Sequence, residues 1–259
     1  MSRLLEGKRV LVVGAGTRPS DDPEAPVGNG RAISVVAGRE GATVACADVD
    51  PIACAATVAL VEAEGATALG FTADVTEAEA CSALVADAAA AMGGLDGLVL
   101  NVGISAGVGM TGTTAEQWDQ VFAVNVRSHF LLAGAALPLL SDRGSIVFIS
   151  SIAGLTAGTR IPSYDSSKSA LTGLCRQAAA EGARRGVRAN VVAPGLIDTP
   201  LGRAASGDRP SREKAPVPLG RQGTAWEVAE PVVFLLSDRA SYITSQLLAV
   251  DGGLTQCRG

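Results

Sequence analysis

Arg9-Val10-Leu11-Val12-Val13-Gly14-Ala15-Gly16-Thr17 is the stretch on which the fold turns. Four apolar residues in a row, with no polar alternation, read as a strand covered on both faces, which points to a parallel sheet. Glycines end the strand. The stretch Arg18–Val27 follows, carrying Pro19, Pro23, Pro26 and the acids Asp21, Asp22 and Glu24, and then Gly28-Asn29-Gly30-Arg31-Ala32-Ile33 opens a helical pattern. Glycines between a strand and a helix let backbone approach a pyrophosphate, and the helix N-terminus favours its charge. Gly14, Gly16, Gly28, Asn29 and Gly30 are therefore candidate phosphate-loop residues. An ordinary glycine-containing turn is the competing reading.

Working outward, the same unit recurs. Strands are predicted near Arg9–Gly14, Thr43–Asp48, Ala68–Thr72, Gly97–Asn101, Ser145–Ser150, Arg188–Ala193 and Leu247–Val250. Helices are predicted near Gly30–Glu40, Pro51–Glu64, Glu77–Met92, Ala115–Leu139, Pro162–Arg185 and Ala225–Ser237. Strand–helix alternation at this spacing predicts a doubly wound α/β domain with ligands at the carboxyl ends of the strands. No composition break divides residues 1–259, so one domain is expected, with a cofactor half over about 1–150 and a catalytic and substrate half over about 144–259. Leu201–Leu219, polar and ending Pro216-Val217-Pro218, reads as a long loop, either functional or disordered.

Composition narrows the class. The 259 residues carry a net charge of −5, which offers no footprint for nucleic acid. His129 is the one histidine, and the five cysteines lack paired metal spacing, so no metal site is expected and the thiols read as reduced. The N-terminus lacks a signal-peptide pattern and no run spans a bilayer, so a cytoplasmic location is expected.

The chemistry sits in Tyr164-Asp165-Ser166-Ser167-Lys168, with Ser151 thirteen positions upstream. Positions i and i+4 share a helix face, so the ammonium lies beside the phenol. A free phenol has a pKa near 10, and a nearby cation favours phenolate, giving a general base for an alcohol proton. With two tyrosines in the chain, and Lys8, Lys168 and Lys214 as its lysines, chance gives this spacing in about 2% of such compositions. Asp48 ends the second strand, where a carboxylate accepts ribose hydroxyls and repels a 2′-phosphate; this favours NAD over NADP. Arg18 and Arg31 are the residues that would reverse that preference. Asp74-Val75 and Asn101-Val102-Gly103, after the third and fourth strands, are placed to cover adenine and pass beneath the ribose.

Taken in order, Gly14…Gly28-x-Gly30, Asp74, Asn101-x-Gly103, Asn125, Ser151, Tyr164-x3-Lys168, Pro194-Gly195 and Asp251-Gly252-Gly253 resemble the short-chain dehydrogenase/reductase superfamily, in its single-domain branch. The resemblance implies a Rossmann-type seven-stranded parallel sheet of order 3-2-1-4-5-6-7 with helices on both faces. It implies that Asn125 lies at a break in the fourth helix and holds a water linking Lys168 to solvent, and that Ser151 hydrogen-bonds the substrate oxygen. It further implies that the backbone around Pro194, Gly195 and Ile197, with the Thr199 hydroxyl, holds the nicotinamide carboxamide, and that Lys168 bonds the nicotinamide ribose. A homotetramer is implied as well.

Two departures stand out: Arg18–Val27 interrupts the glycine turn, and Val102 replaces the family's common alanine. The expectation is that the insertion loops outward and that NAD-dependent interconversion of a secondary alcohol and a ketone is the activity. The alternatives carried are an NADP-dependent ketoreductase and a non-catalytic cofactor-sensing regulator. Substrate recognition is expected from Ile104–Met110, Ile152–Ile161 and Leu201–Leu219, with Arg160, Arg203 and Arg209 as candidate anion contacts.

Overall fold

The computed structural model describes residues 3–18, 25–156, 158–207 and 217–257. β1 (Arg9–Val13) pairs in parallel with β2 (Thr43–Asp48) on one side and β4 (Leu95–Leu100) on the other. β3 (Ala68–Thr72) extends the β2 side. On the other side follow β5 (Leu140–Ile149), β6 (Arg188–Pro194) and β9 (Leu247–Val250), for an order β3-β2-β1-β4-β5-β6-β9. This is the expected Rossmann-type order. The last strand is ninth in the chain because a two-residue pair, β7 (Ile197–Asp198) with β8 (Gly223–Thr224), precedes it.

The apolar run of β1 splits between two cores. Val10 and Val12 pack on one face with Val44, Cys46 and Ile33, whereas Leu11 and Val13 pack on the other with Ala45, Leu98 and Leu100. Helices α1 (Asn29–Arg39), α2 (Pro51–Ala63) and α8 (Ala225–Leu236) border the first core; α3 (Ala78–Met92), α5 (Ser128–Ala136) and α6 (Pro162–Gly182) border the second. Each fully buried Val or Leu stabilises by about 1.5–3 kcal/mol relative to exposure, so double burial of every central strand dominates the fold.

Local chemistry sets the element ends. Asp50 caps α2, its side chain accepting from the Ile52 and Ala53 amides, with Pro51 at the first helical position. Thr224 and Glu227 form a reciprocal capping box on α8. At the far end of α8 the buried Arg188 guanidinium donates to the carbonyls of Leu235 and Ser237, at 2.7 and 3.1 Å.

Three expectations are corrected. The predicted helix Ala115–Leu139 is two helices, α4 (Ala115–Phe122) and α5, joined by a π turn over Ala123–Arg127. β5 begins at Leu140 rather than Ser145, and its pairing with β4 shifts register between Leu95 and Gly97. The loop read over Leu201–Leu219 is in part helical: Pro200–Gly207 forms α7, where Pro200 leads and the Thr199 hydroxyl accepts from the Gly202 amide at 3.0 Å. Arg209 and much of the Arg18–Val27 insertion lie outside the described residues.

Candidate active site

The strand order reverses between β1 and β4, and a crevice of about 450 Å³ opens there along the carboxyl ends of the strands. Gly14 continues β1, its N–H donating to Ala47 and its carbonyl accepting from the Asn101 amide at 2.8 Å. Gly30 packs so tightly that a Cβ there would overlap the Gly14 carbonyl oxygen and lie 2.7 Å from Asn101 Nδ2. The N-terminus of α1 therefore touches the end of β1 at a point where only glycine fits. Gly28 precedes that helix without a side-chain cap, and its N–H donates to Thr17 Oγ1 at 2.9 Å, drawing the two ends of the insertion together.

These features fit a dinucleotide phosphate. The uncapped start of α1 leaves backbone N–H groups facing the crevice. Beside them the Asn29 side-chain oxygen is buried without a hydrogen-bond partner among the described residues, although Asn29 lines the crevice. A buried polar atom without a partner costs free energy that a ligand can recover.

Asp48 also lines the crevice. One of its oxygens accepts from the Gly16 amide at 2.7 Å and the other from the Asp50 amide at 3.1 Å, so the carboxylate is fixed by backbone while keeping lone pairs for hydroxyl groups. Arg31 is turned away, donating to Thr57 Oγ1 and the Ala53 carbonyl, and its burial lowers its pKa. Arg18 does line the crevice. Asp74 and Val75 form the wall beyond β3, with Asp74 held well below the usual carboxylate range by the Thr76 backbone and hydroxyl.

The proton-handling residues meet at the inner end. Tyr164 and Lys168 stand one turn apart near the start of α6, and the ammonium lies 5.7 Å from the centre of the phenol ring. Lys168 is buried, and its Nζ donates to the Ile149 carbonyl at 3.0 Å. Burial lowers its pKa from 10.5 to about 8, so the cation persists at neutral pH at a desolvation cost. Gly103 passes close by: a Cβ there would sit 3.0 Å from Lys168 Nζ and 3.7 Å from Asn125 Oδ1.

Asn125 is fully buried inside the π turn, which is the break implied by the resemblance. Its amide pairs with Ile104 in both directions at 2.9 Å and donates to Ser167 Oγ at 2.9 Å. Ser151 starts the short 3₁₀ turn Ile152–Gly154, its hydroxyl accepting from the Ala153 amide at 3.2 Å. Neither Ser151 nor Asn125 lines the crevice itself, in contrast to Tyr164, Lys168 and Thr199. Pro194 and Gly195 lie behind it, where the Gly195 amide donates to the Val250 carbonyl and a Cβ on Gly195 would meet Asp251 at 2.6 Å. Ile197 is buried in the two-stranded pair at the same end.

On the substrate side, Gly109 N–H donates to the Arg160 carbonyl at 2.7 Å, tying together two of the loops expected to recognise substrate. Arg160 adopts φ +62°, uncommon for a non-glycine residue. Arg203 is engaged with Asp198 in a two-bond ion pair at 2.7 and 3.0 Å. All five cysteines are free thiols, four of them buried. No helix among the described residues is long and apolar enough to cross a membrane. Sequence reasoning set aside His129 for want of a partner nearby in sequence; the fold buries it close behind this site, with the adjacent Ser128 hydroxyl and the carbonyl of Leu100, 29 residues away, each at 3.2 Å.

Comparison with known proteins agrees with this geometry. A family model described as Enoyl-(Acyl carrier protein) reductase matches residues 26–255. The chain is 38% identical to 2-(S)-hydroxypropyl-CoM dehydrogenase 3 of Xanthobacter autotrophicus, covering 98% of this chain and 99% of that protein. A second protein of that organism, named inactive 2-(S)-hydroxypropyl-CoM dehydrogenase 2, is 43% identical over 84% of this chain and 96% of its own. A crystal structure assigned as a 2-deoxy-d-gluconate 3-dehydrogenase from Agrobacterium tumefaciens, with bound NADP, superposes with a TM-score of 0.85 at 31% identity over 98% of each chain. The chain belongs to the short-chain dehydrogenase/reductase superfamily, oxidoreductases that act on CH–OH groups.

Proposed function

We infer that this protein interconverts a secondary alcohol and a ketone with NAD, using Tyr164 as the general acid and base. The observation that carries the reading is the buried Lys168 ammonium beside the Tyr164 ring at the inner end of a glycine-cradled crevice. A nicotinamide dinucleotide, when bound, supplies the acceptor or donor of hydride. Gly14, Gly16, Gly28, Asn29 and Gly30 would hold its pyrophosphate, Asp48 its adenosine ribose, Asp74 and Val75 its adenine, and Asn101 and Gly103 would pass beneath its sugar. Pro194, Gly195, Ile197 and Thr199 would receive the carboxamide.

In the oxidising direction the Ser151 hydroxyl orients the substrate oxygen and phenolate Tyr164 removes its proton. Positive charge on Lys168 favours that phenolate. In the reducing direction Tyr164 returns the proton to the developing alkoxide. Asn125 fixes the loop at Ile104 and would hold a water linking Lys168 to solvent. The fixed Asp48 carboxylate and the diverted Arg31 favour NAD over NADP. The relative named as inactive means that likeness alone does not carry catalysis; the reading rests on Asn125, Ser151, Tyr164 and Lys168 being present together in this chain.

We read residues 1–259 as one dehydrogenase domain, acting on a small-molecule alcohol or ketone as a cytoplasmic homotetramer. The test is a panel of secondary alcohols offered with NAD and, separately, NADP, followed by absorbance of the reduced cofactor. Turnover with NAD preferred is expected. Stoichiometric cofactor binding without turnover on any alcohol would establish the regulator instead, and a clear NADP preference would remove the role given to Asp48.

A further inference from the structure

His129 takes no part in the chemistry above, yet it is a fully buried titratable side chain directly behind it. Its ring stacks toward Phe148, with centres 6.3 Å apart and planes at 21°. Nε2 lies 3.2 Å from the carbonyl oxygen of Leu100, the last residue of β4, and Nδ1 lies 3.2 Å from Ser128 Oγ. A carbonyl oxygen accepts only, so Nε2 carries the proton and Nδ1 is the acceptor facing the serine hydroxyl. Burial holds the ring neutral, its pKa lowered to about 3, which keeps this tautomer in place at physiological pH.

The Ser128 hydroxyl carries one hydrogen, which goes to the Val124 carbonyl inside the π turn or to Nδ1 but not to both at once. The Ser128 N–H reaches back five residues to Ala123, so the carbonyl it would meet in an α-helix is met by its hydroxyl instead. From consecutive positions at the start of α5, His129 thus reaches the Leu100 carbonyl and Ser128 the Val124 carbonyl, on two separate segments. Leu100 runs directly into Asn101–Gly103, and Val124 directly precedes Asn125. Those two segments enclose the Lys168 ammonium, as the close approaches to Gly103 show, and are joined again where Ile104 pairs with Asn125.

We propose that His129, acting with Ser128, is a positioning residue that sets the π turn against the end of β4 and so fixes Asn125 and Lys168 for proton transfer. This rests on the dehydrogenase reading of Tyr164 and Lys168. The test compares His129→Leu, which removes the bond to Leu100 at similar bulk, with His129→Gln, whose amide can still donate to Leu100. In the leucine variant kcat falls tenfold or more while the dissociation constant for NADH moves less than threefold. The glutamine variant recovers at least half of the lost kcat on a logarithmic scale. Amide hydrogen exchange in the full-length protein quickens in peptides covering 101–106 and 123–128 of the leucine variant but not in β1.

Equal kcat values in the two variants, or exchange that is unchanged or uniformly faster in the leucine variant, would overturn the proposal. Should that variant fail to fold, Ser128→Ala removes the hydroxyl that reaches Val124 and Nδ1 while leaving the bond from His129 to Leu100; wild-type kcat and exchange in it are equally fatal. Wild-type protein inactive on every alcohol defeats the proposed activity instead, and the exchange comparison still decides whether the brace exists.

Discussion

The Lys168 ammonium lies 5.7 Å from the centre of the Tyr164 ring, one helical turn along the same face of α6. Replacing Tyr164 with Phe keeps the ring and removes the hydroxyl that handles the proton. Turnover is expected to fall by about 10²–10⁴-fold, the usual contribution of a positioned acid–base group, with NADH binding within about threefold of wild type. Initial rates and a cofactor fluorescence titration check the two halves separately.

Lys168→Met should make the cofactor-free protein more stable at neutral pH while abolishing activity. The lysine's pKa is lowered from 10.5 to about 8 by burial, so between those values the unfolded chain binds a proton that the folded chain has released. Stability therefore rises with pH across that window, and the cost is fully present below it, on the order of 3 kcal/mol at most. Loss of the bond to Ile149 offsets about 1 kcal/mol of the gain. Denaturant melts at pH 7 and pH 10 should show the wild-type slope vanish in the variant.

His129 predicts acid sensitivity of the same origin, in a lower pH window. Its pKa is lowered from 6.5 to about 3, so between those values the unfolded chain takes up a proton that the folded chain refuses. Stability is full above pH 6.5 and falls as pH drops through that window, by up to ~5 kcal/mol. Melting temperatures of wild type and His129→Gln from pH 7 to pH 4 should converge as pH falls, because the variant lacks this term while shared carboxylates cancel.

Gly30→Ala forces a methyl group against the Gly14 carbonyl. Overpacking of this kind costs about 1–3 kcal/mol and pushes α1 from the end of β1. NADH affinity should drop at least tenfold, read by titration calorimetry, together with a lower melting temperature.

Asp48→Ala should shift the kcat/KM ratio from NAD toward NADP by about tenfold or more, through loss of NAD rather than gain of a phosphate contact, since Arg31 is held by Thr57 and Ala53. The Gly16 amide loses its partner in the same change, so a modest fall in stability accompanies it.

The sheet and its crevice were readable because β1, β2 and the carboxyl-terminal parts of β4–β6 are apolar runs without alternation, a pattern that few other architectures tolerate. Tyr164 and Lys168 were readable because four-residue spacing on a helix is geometry in itself. The π turn was not readable. Ala115–Leu139 keeps its helical composition throughout, and one extra residue per turn changes hydrogen bonding without changing hydropathy. Asn125 was found by resemblance alone, since its partners Ile104 and Ser167 are 21 and 42 residues distant. The start of α7 did carry a signal, Thr199-Pro200, but it was outweighed by the polar run that follows.

The bond from the Gly28 amide to the Thr17 hydroxyl has a practical corollary. Arg18 apart, a chain fastened at the neck of an insertion uncouples the glycines of the cleft from the insertion's length. The number of residues between Arg18 and Gly28 can therefore be changed, by grafting a peptide tag for example, with cofactor affinity kept so long as Thr17, Arg18 and Gly28 stay.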